Sequence, residues 1–206
     1  MIIIIDYQMG NLGSILNMLK KVGAPARISS DPVVIGEAAK LILPGVGAFD
    51  NGMKHLRDQG FLPVLEDAVM RRKVPVLGIC LGMQLMTKSS EEGSLPGLGW
   101  IDARTVRFMH DPSLNLKVPH MGWNTVYIRK ESILFRDMYP EPRFYFVHSY
   151  HTVCEQDSDV LTETSHGYAF TSSFQRDNVI GVQFHPEKSH KFGMRLLKNF
   201  AEAGTC

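Results

Sequence analysis

A cysteine framed by glycines is the first feature of this sequence that points to chemistry. Cys80 lies in Gly78-Ile79-Cys80-Leu81-Gly82, directly after the apolar run 75–79. Where a strand turns sharply into a helix, such a central residue is strained, and side chains in place of the glycines would collide with the neighbouring strand and helix. The N-terminus of that helix favours thiolate, the nucleophilic form. Because cysteines are commonly buried, a structural cysteine is the alternative.

A histidine and an acid follow the β-rich run 179–184. His185 and Glu187 stand two residues apart in the segment 183–188, QFHPEK. A histidine beside a nucleophile acts as its base, and a carboxylate orients the imidazole ring. Taken alone, the segment also fits a turn with two solvated side chains. A cysteine, a histidine and an acid, each at the end of a predicted strand, favour a catalytic triad.

A third segment, Pro44-Gly45-Val46-Gly47, follows the apolar run 40–43. Its two glycines free the backbone to direct N–H groups at a developing oxyanion, together with the amide of Leu81 after the nucleophile. An ordinary turn is the alternative for this segment when it is considered alone.

The elements that must position these residues alternate along the first part of the chain. Runs of β-branched and aliphatic residues predict strands, and Leu12, Ile15, Leu16 and Leu19 form one apolar helical stripe. The predicted strands are 2–5, 26–29, 40–43 and 75–79.

This alternation predicts an α/β fold with a mostly parallel, doubly wound sheet. Short β-rich stretches between 98 and 184, such as 143–148 and 179–184, predict an antiparallel extension, and residues 1–206 read as one domain. In such sheets ligands bind beyond the carboxyl ends of the strands, which places the three segments on one rim.

The composition excludes several classes of function. The net charge is +1 and 44% of the 206 residues are hydrophobic, which gives no indication of nucleic-acid binding. The run Ile2–Ile5 is too short for a signal peptide or a membrane span. Cysteines at 80, 154 and 206 lack metal-ligand spacing and indicate a reducing compartment. We expect a cytoplasmic protein with no metal and no cofactor.

The motifs together carry a resemblance that runs from one end of the chain to the other. The sequence is similar to class I (triad-type) glutamine amidotransferases and, within them, to the glutaminase subunits of imidazole glycerol phosphate synthase. The motifs that carry it are DYQMGNLGS, LPGVGAF, GICLGMQLM, PHMGWN, FVHSY and GVQFHPEKS.

The resemblance implies a reaction and a role for each residue of the triad. Cys80 would attack the carboxamide carbon of L-glutamine and form a glutamyl thioester, which water hydrolyses. His185 would take the thiol proton and pass it to departing ammonia, while Glu187 orients the imidazole.

The resemblance also implies which residues bind the substrate. Gln84, Ser149 and Tyr150 match positions that hold glutamine. The segment Gly45–Gly47 matches an oxyanion strand that in this family needs a peptide flip to become competent.

The chain has no second domain to receive ammonia, so we expect a synthase on another chain. In the resembled family the partner is a (β/α)8 barrel cyclase that makes imidazole glycerol phosphate and an aminoimidazole carboxamide nucleotide in histidine biosynthesis. Asn11, Met121, Trp123 and Lys188 match positions at its docking face. A buried position in the core is the alternative for Trp123.

Three stretches depart from the family pattern. Gly13 stands where the family has GNLRS or GNLHS, residues 97–103 read GLGWIDA where the family has GLGLIPG, and His190 stands where the family has HPEKSG. They keep open a paralogous subunit that supplies ammonia to a sugar-amidating or aminating synthetase. A thiol hydrolase would need neither Gln84 nor the His-Pro-Glu segment, and a non-catalytic regulatory subunit would lack the triad.

Overall fold

The computed structural model describes residues 1–109, 113 and 116–204 and has one large sheet with helices on both faces. The large sheet runs in the order β2-β1-β3-β4-β13-β12-β10-β6-β5, and β11 pairs with β12 and β8. The strands are β1 (Ile2–Ile5), β2 (Ala26–Ser29), β3 (Lys40–Leu43), β4 (Val76–Ile79), β5 (Ser89–Ser90), β6 (Ala103–Arg107), β7 (His120–Thr125), β8 (Tyr127–Ile128), β9 (Arg143–His148), β10 (Tyr150–Cys154), β11 (Val160–His166), β12 (Tyr168–Arg176) and β13 (Val179–Val182).

Six α-helices connect or cover these strands in the described part of the chain. A π-helical turn, Glu66–Arg71, continues the fourth helix, and short 3₁₀ turns lie at Ile133–Phe135, Asp157–Asp159 and Pro186–Lys188. The helices are α1 (Leu12–Lys21), α2 (Pro32–Gly36), α3 (Phe49–Asp58), α4 (Phe61–Leu65), α5 (Leu81–Leu85) and α6 (His190–Glu202).

Strand β1 shows why the core has two layers. All four of its isoleucines are buried, and successive side chains of a strand point to opposite faces. Ile2 and Ile4 pack in the cluster that contains residues of α1 and α6, and Ile3 and Ile5 pack in the cluster under α3, α4 and α5. A sheet covered on both faces is the predicted doubly wound architecture.

Strand β13 joins the parallel and antiparallel parts of the sheet. It is parallel to β4, with Val182 beside Ile79, and antiparallel to β12, with Val182 beside Ser173. The ends of β4 and β13 therefore lie side by side. This pairing brings the residues that follow each strand, Cys80 and Gln183, to one edge.

The predicted strand at 143–148 forms but does not belong to the antiparallel extension of the main sheet. Instead of extending the main sheet, β9 pairs only with β7 among the described strands and forms a separate antiparallel ribbon. One face of β9 is buried through Phe144, Phe146 and His148. The ribbon packs this apolar face against the core, and Met121 and Trp123 of β7 remain exposed.

The described cysteines are not paired with each other. Cys80 and Cys154 are free thiols, and Cys206 lies outside the described residues. Within the described ranges, each helix is too short or too polar to cross a membrane.

Candidate active site

Cys80 occupies a strained turn between β4 and α5. Its backbone has φ 53° and ψ −108°, and its N–H donates to the carbonyl of Val182 at 2.8 Å. A positive φ is uncommon for a residue with a side chain, and such strain concentrates at functional sites.

The two glycines around Cys80 are required by close packing. A Cβ at Gly82 would overlap the carbonyl oxygen of Leu43 in β3, and a Cβ at Gly78 would lie 2.8 Å from the amide nitrogen of Met83. Side chains at these two positions would therefore collide with their neighbours, as the sequence predicted. The glycines allow α5 to begin directly against the end of β3.

His185 and Glu187 form a buried pair. Nδ1 of His185 lies 2.7 Å from Oε1 of Glu187, and their side chains are 1% and 3% exposed. Because a carboxylate accepts, Nδ1 is the donor, and Nε2 is left for another partner. Nε2 makes no hydrogen bond in the described part of the chain. The backbone of His185 is held on both sides: its N–H donates to Tyr145 and its carbonyl accepts from the Ser189 hydroxyl.

The imidazole of His185 favours its protonated form. Burial disfavours the charged ring, but interactions with the Cys80 sulfur and the Glu187 carboxylate outweigh it and raise the pKa of His185 to about 10. A histidine with this pKa carries a proton at neutral pH. It is therefore placed to donate that proton to a leaving group.

The predicted substrate residues lie around one cavity of about 400 Å³ beside Cys80. This volume suits a small molecule. Gly45 and Glu187 do not line it. The predicted residues that do are Val46, Gly47, Cys80, Leu81, Gln84, Ser149, Tyr150 and His185.

In the segment 44–47, a backbone carbonyl accepts the hydrogen bond of the N–H group that was predicted to bind an oxyanion. The carbonyl oxygen of Gly45 accepts a hydrogen bond from the N–H of Leu81 at 3.4 Å. The buried hydroxyl of Tyr7 donates to the carbonyl of Pro44 at 2.5 Å. Gly47 has φ +117°, which a residue with a side chain rarely adopts. In this arrangement the Leu81 amide faces a carbonyl and is not available to a substrate oxyanion.

Three residues at the site were not identified from the sequence. Glu92 lines the cavity, and its Oε2 accepts from the N–H of Phe49 at the start of α3 at 2.9 Å. Tyr7 holds the segment 44–47, and Gln183 contacts Cys80 through its side-chain amide at 3.7 Å. Gln183 stands inside the recognised motif, two residues before His185, so position was the available signal. Tyr7 also lies inside a quoted motif, DYQMGNLGS, whereas Glu92 lies outside all of them.

The residues predicted at a partner interface lie at the surface. Met121 is 63% exposed and Trp123 is 47% exposed, so Trp123 is not a core residue. The ammonium of Lys188 lies 5.5 Å from the ring centre of Tyr145. Asn11 is exposed and caps α1 by accepting from the N–H of Ser14 at 3.3 Å. Met121 and Trp123 belong to β7 of the ribbon, and Lys188 lies over Tyr145 of its other strand, β9.

A group of histidines that reaches the cavity through His148 is bonded internally. Nδ1 of His148 lies 2.7 Å from the carbonyl of Tyr150, and its Nε2 lies 2.9 Å from Nδ1 of His120. Burial lowers the pKa of His148 well below its usual value, so this ring is neutral. Among the residues with described positions, no group of three or more His, Cys, Asp or Glu side chains could hold a metal ion.

Comparison with known proteins adds an independent result. Residues 3–203 match the family model described as glutamine amidotransferase class-I. The chain is 54% identical over 200 residues to imidazole glycerol phosphate synthase subunit HisH 2 of Methanococcus maripaludis, covering 97% of this chain and 98% of that protein. It is 53% identical over 202 residues to the subunit HisH 2 of Pseudomonas aeruginosa, covering 98% and 99%.

A solved structure shows the same fold. A crystal structure of a glutamine amidotransferase superposes with a TM-score of 0.70 at 17% identity, over 98% of this chain and 99% of that one. The chain thus belongs to the class-I glutamine amidotransferase family, and the two relatives reported above, which match it over nearly their full length, are HisH subunits.

Proposed function

We propose that this chain is the glutaminase subunit of imidazole glycerol phosphate synthase. It hydrolyses L-glutamine to glutamate and ammonia, and delivers the ammonia to a (β/α)8 barrel cyclase in the cytoplasm. The observation that carries the proposal is the placement of Cys80, Gln84 and His185 around one cavity, with His185 paired to the buried Glu187 behind it. The names of the HisH relatives supply the reaction that consumes the ammonia.

The triad divides the reaction into two steps. The Cys80 thiolate attacks the carboxamide carbon, and the C–N bond breaks as protonated His185 gives its Nε2 proton to the amide nitrogen, which leaves as ammonia. Water then attacks the glutamyl thioester and loses a proton to His185, and the thiolate leaves. Glu187 holds the ring through Nδ1, which leaves Nε2 free to carry the proton in both steps.

The cavity offers groups that match the amino-acid end of glutamine. The Gln84 carboxamide and the Glu92 carboxylate present oxygens that accept hydrogen bonds from the α-ammonium group. Ser149 and Tyr150 line the same cavity and are the residues that would bind the α-carboxylate. These contacts place the side-chain amide of the substrate at Cys80.

The conformation of the segment 44–47 explains why a partner is needed. While the Gly45 carbonyl faces the Leu81 amide, no oxyanion donor is available there. Rotation of the Gly45–Val46 peptide replaces this carbonyl with the Val46 N–H and frees the Leu81 N–H. Docking of the cyclase against Met121, Trp123 and Lys188, with Asn11 at the edge of the contact, stabilises the rotated form.

One observation favours a second function. His190 stacks on Trp123, with ring centres 5.5 Å apart and 19° between their planes. His190 has φ 46° at the position where the family has glycine. The two relatives reported above are both numbered HisH 2, which implies more than one such subunit in their organisms. A paralogue that supplies ammonia to a sugar-amidating or aminating synthetase is therefore the second candidate.

Labelled glutamine tests the acceptor. With the barrel cyclase and its nucleotide ligand, amide-¹⁵N glutamine should transfer ¹⁵N to imidazole glycerol phosphate, detected by mass spectrometry. Cys80→Ala should abolish this transfer but leave synthesis from added ammonium intact. Label that enters a sugar product only, with a synthetase in place of the cyclase, would support the second candidate. Glutamine-dependent transfer by Cys80→Ala would contradict the mechanism.

The role of Glu187 predicts a pH effect. The carboxylate raises the pKa of His185, so Glu187→Gln lowers it, and the imidazole loses its proton at a lower pH. The alkaline limb of partner-stimulated glutamate release should lie near pH 10 in the wild-type protein. It should move down by about one pH unit or more in the variant, with kcat reduced about 10- to 100-fold. An unchanged limb would remove Glu187 from this role.

The contact between His190 and Trp123 predicts a change in affinity. His190→Gly removes the stack and the strained φ, and exposes Trp123 to the cyclase. We expect the Kd for the cyclase, measured by titration calorimetry, to fall about 2- to 10-fold, because this change corresponds to the free energy of one aromatic pair. Val33→Ala, on the exposed face of α2, is the matched control. Weaker binding by His190→Gly would make His190 a partner contact instead.

A further inference from the structure

The side chain of Gln183 lies between the nucleophile and the glutamine residue that faces the substrate. Gln183 is the first residue after β13 and is fully buried. Its Nε2 lies 3.7 Å from Sγ of Cys80, and its Oε1 lies 3.0 Å from Nε2 of Gln84. The distance to sulfur is suitable for a hydrogen bond to this large atom.

The direction of these hydrogen bonds follows from one backbone carbonyl. Nε2 of Gln84 lies 3.2 Å from the carbonyl oxygen of Tyr150, which can only accept. The second hydrogen of this Nε2 is then donated to Oε1 of Gln183. With its oxygen turned to Gln84, Gln183 must turn its N–H toward Cys80.

The Tyr150 carbonyl is itself held in place. It also accepts from Nδ1 of the neutral ring of His148 at 2.7 Å. His148 accepts in turn from His120 through its other ring nitrogen at 2.9 Å. Gln84 therefore has one orientation, with both hydrogens engaged and its Oε1 left as an acceptor for the substrate.

We propose that Gln183 is a further catalytic residue, a hydrogen-bond donor to the reacting sulfur that is aligned by Gln84. This proposal rests on the proposed function, because it concerns the same nucleophile. The Tyr150 carbonyl, Gln84, Gln183 and Cys80 form one directional chain from the substrate cavity to the sulfur.

The donor acts where negative charge resides on sulfur. At the start, the thiolate uses an electron pair to form the C–S bond, and in hydrolysis the same pair returns to sulfur as that bond breaks. The Gln183 N–H stabilises sulfur in both states without transferring a proton, while His185 carries every proton. A hydrogen bond to a charged acceptor is stronger than a hydrogen bond between two neutral groups.

Alkylation of Cys80 tests the proposal without a partner or substrate. The full chain is treated with iodoacetamide at pH 7, and the peptide containing Cys80 is quantified by mass spectrometry. Cys154 is a slow competitor because burial, with Asp159 nearby, raises its pKa to about 12. In Gln183→Glu, a carboxylate of the same shape still accepts from Gln84 but donates nothing to sulfur. Gln183→Met removes both bonds.

We expect alkylation to slow roughly tenfold or more in both variants, and its pH profile to move to higher pH. Gln175→Met, which removes a half-buried glutamine on β12 bonded to Ser132, should stay within twofold of wild type. With the cyclase, Gln183→Glu should lower kcat for glutamate release more than it changes KM. A folded Gln183→Glu variant that alkylates within twofold of wild type would overturn the proposal.

A measurement on the wild-type protein covers the case in which neither variant folds. The side-chain amide resonance of Gln183 should shift when Cys80 is alkylated, and that of Gln175 should not; a Gln183 resonance that does not move overturns the proposal. The proposal for Gln183 and the proposed glutaminase function can also fail separately. Slower alkylation of the variants, with no glutamate release in the presence of any partner, would support the Gln183 donor and contradict the glutaminase function. Glutamate release with unchanged alkylation does the reverse.

Discussion

The contact between the start of α5 and the end of β3 is the constraint on which the site depends. Gly82 lies so close to the Leu43 carbonyl that no side chain fits between them. This contact forces the chain to turn at Cys80 with a positive φ, and it brings the Leu81 amide against the segment that follows β3. The proposed nucleophile and the proposed oxyanion strand are therefore placed by one packing contact between backbones.

Strand pairing brings the remaining site residues to the same edge. Strand β4 lies between β3, which carries the oxyanion segment, and β13, which is followed by Gln183 and His185. The short parallel strands end at one level, so the residues after them meet without long loops. The histidine is held more tightly than the oxyanion strand: its backbone and its Nδ1 are all bonded, whereas Val46 and Gly47 are exposed. In the proposed mechanism, the rigid part carries the protons and the less constrained part is regulated by the partner.

Much of this arrangement could be predicted from local sequence patterns. The run of isoleucines in β1 and the glycines around Cys80 each report a local steric requirement, so the doubly wound sheet and the elbow were predictable. The pairing of β9 with β7 was not, because an amphipathic strand does not encode its neighbour. Glu92 and Tyr7 were missed for a similar reason: their roles arise from contacts to Phe49 and Pro44 across loops. The direction of the Gln183 bond required the position of the Tyr150 carbonyl.

The central claim is that the chain holds a complete triad beside an oxyanion strand in its resting conformation, which the partner rearranges. The most direct test is steady-state glutamate release by the chain alone and by the chain saturated with the cyclase and its nucleotide ligand. Because an oxyanion donor acts mainly in the transition state, the account predicts that the partner raises kcat about 100-fold or more while KM changes much less. Full activity of the chain alone, or a partner effect confined to KM, would contradict it.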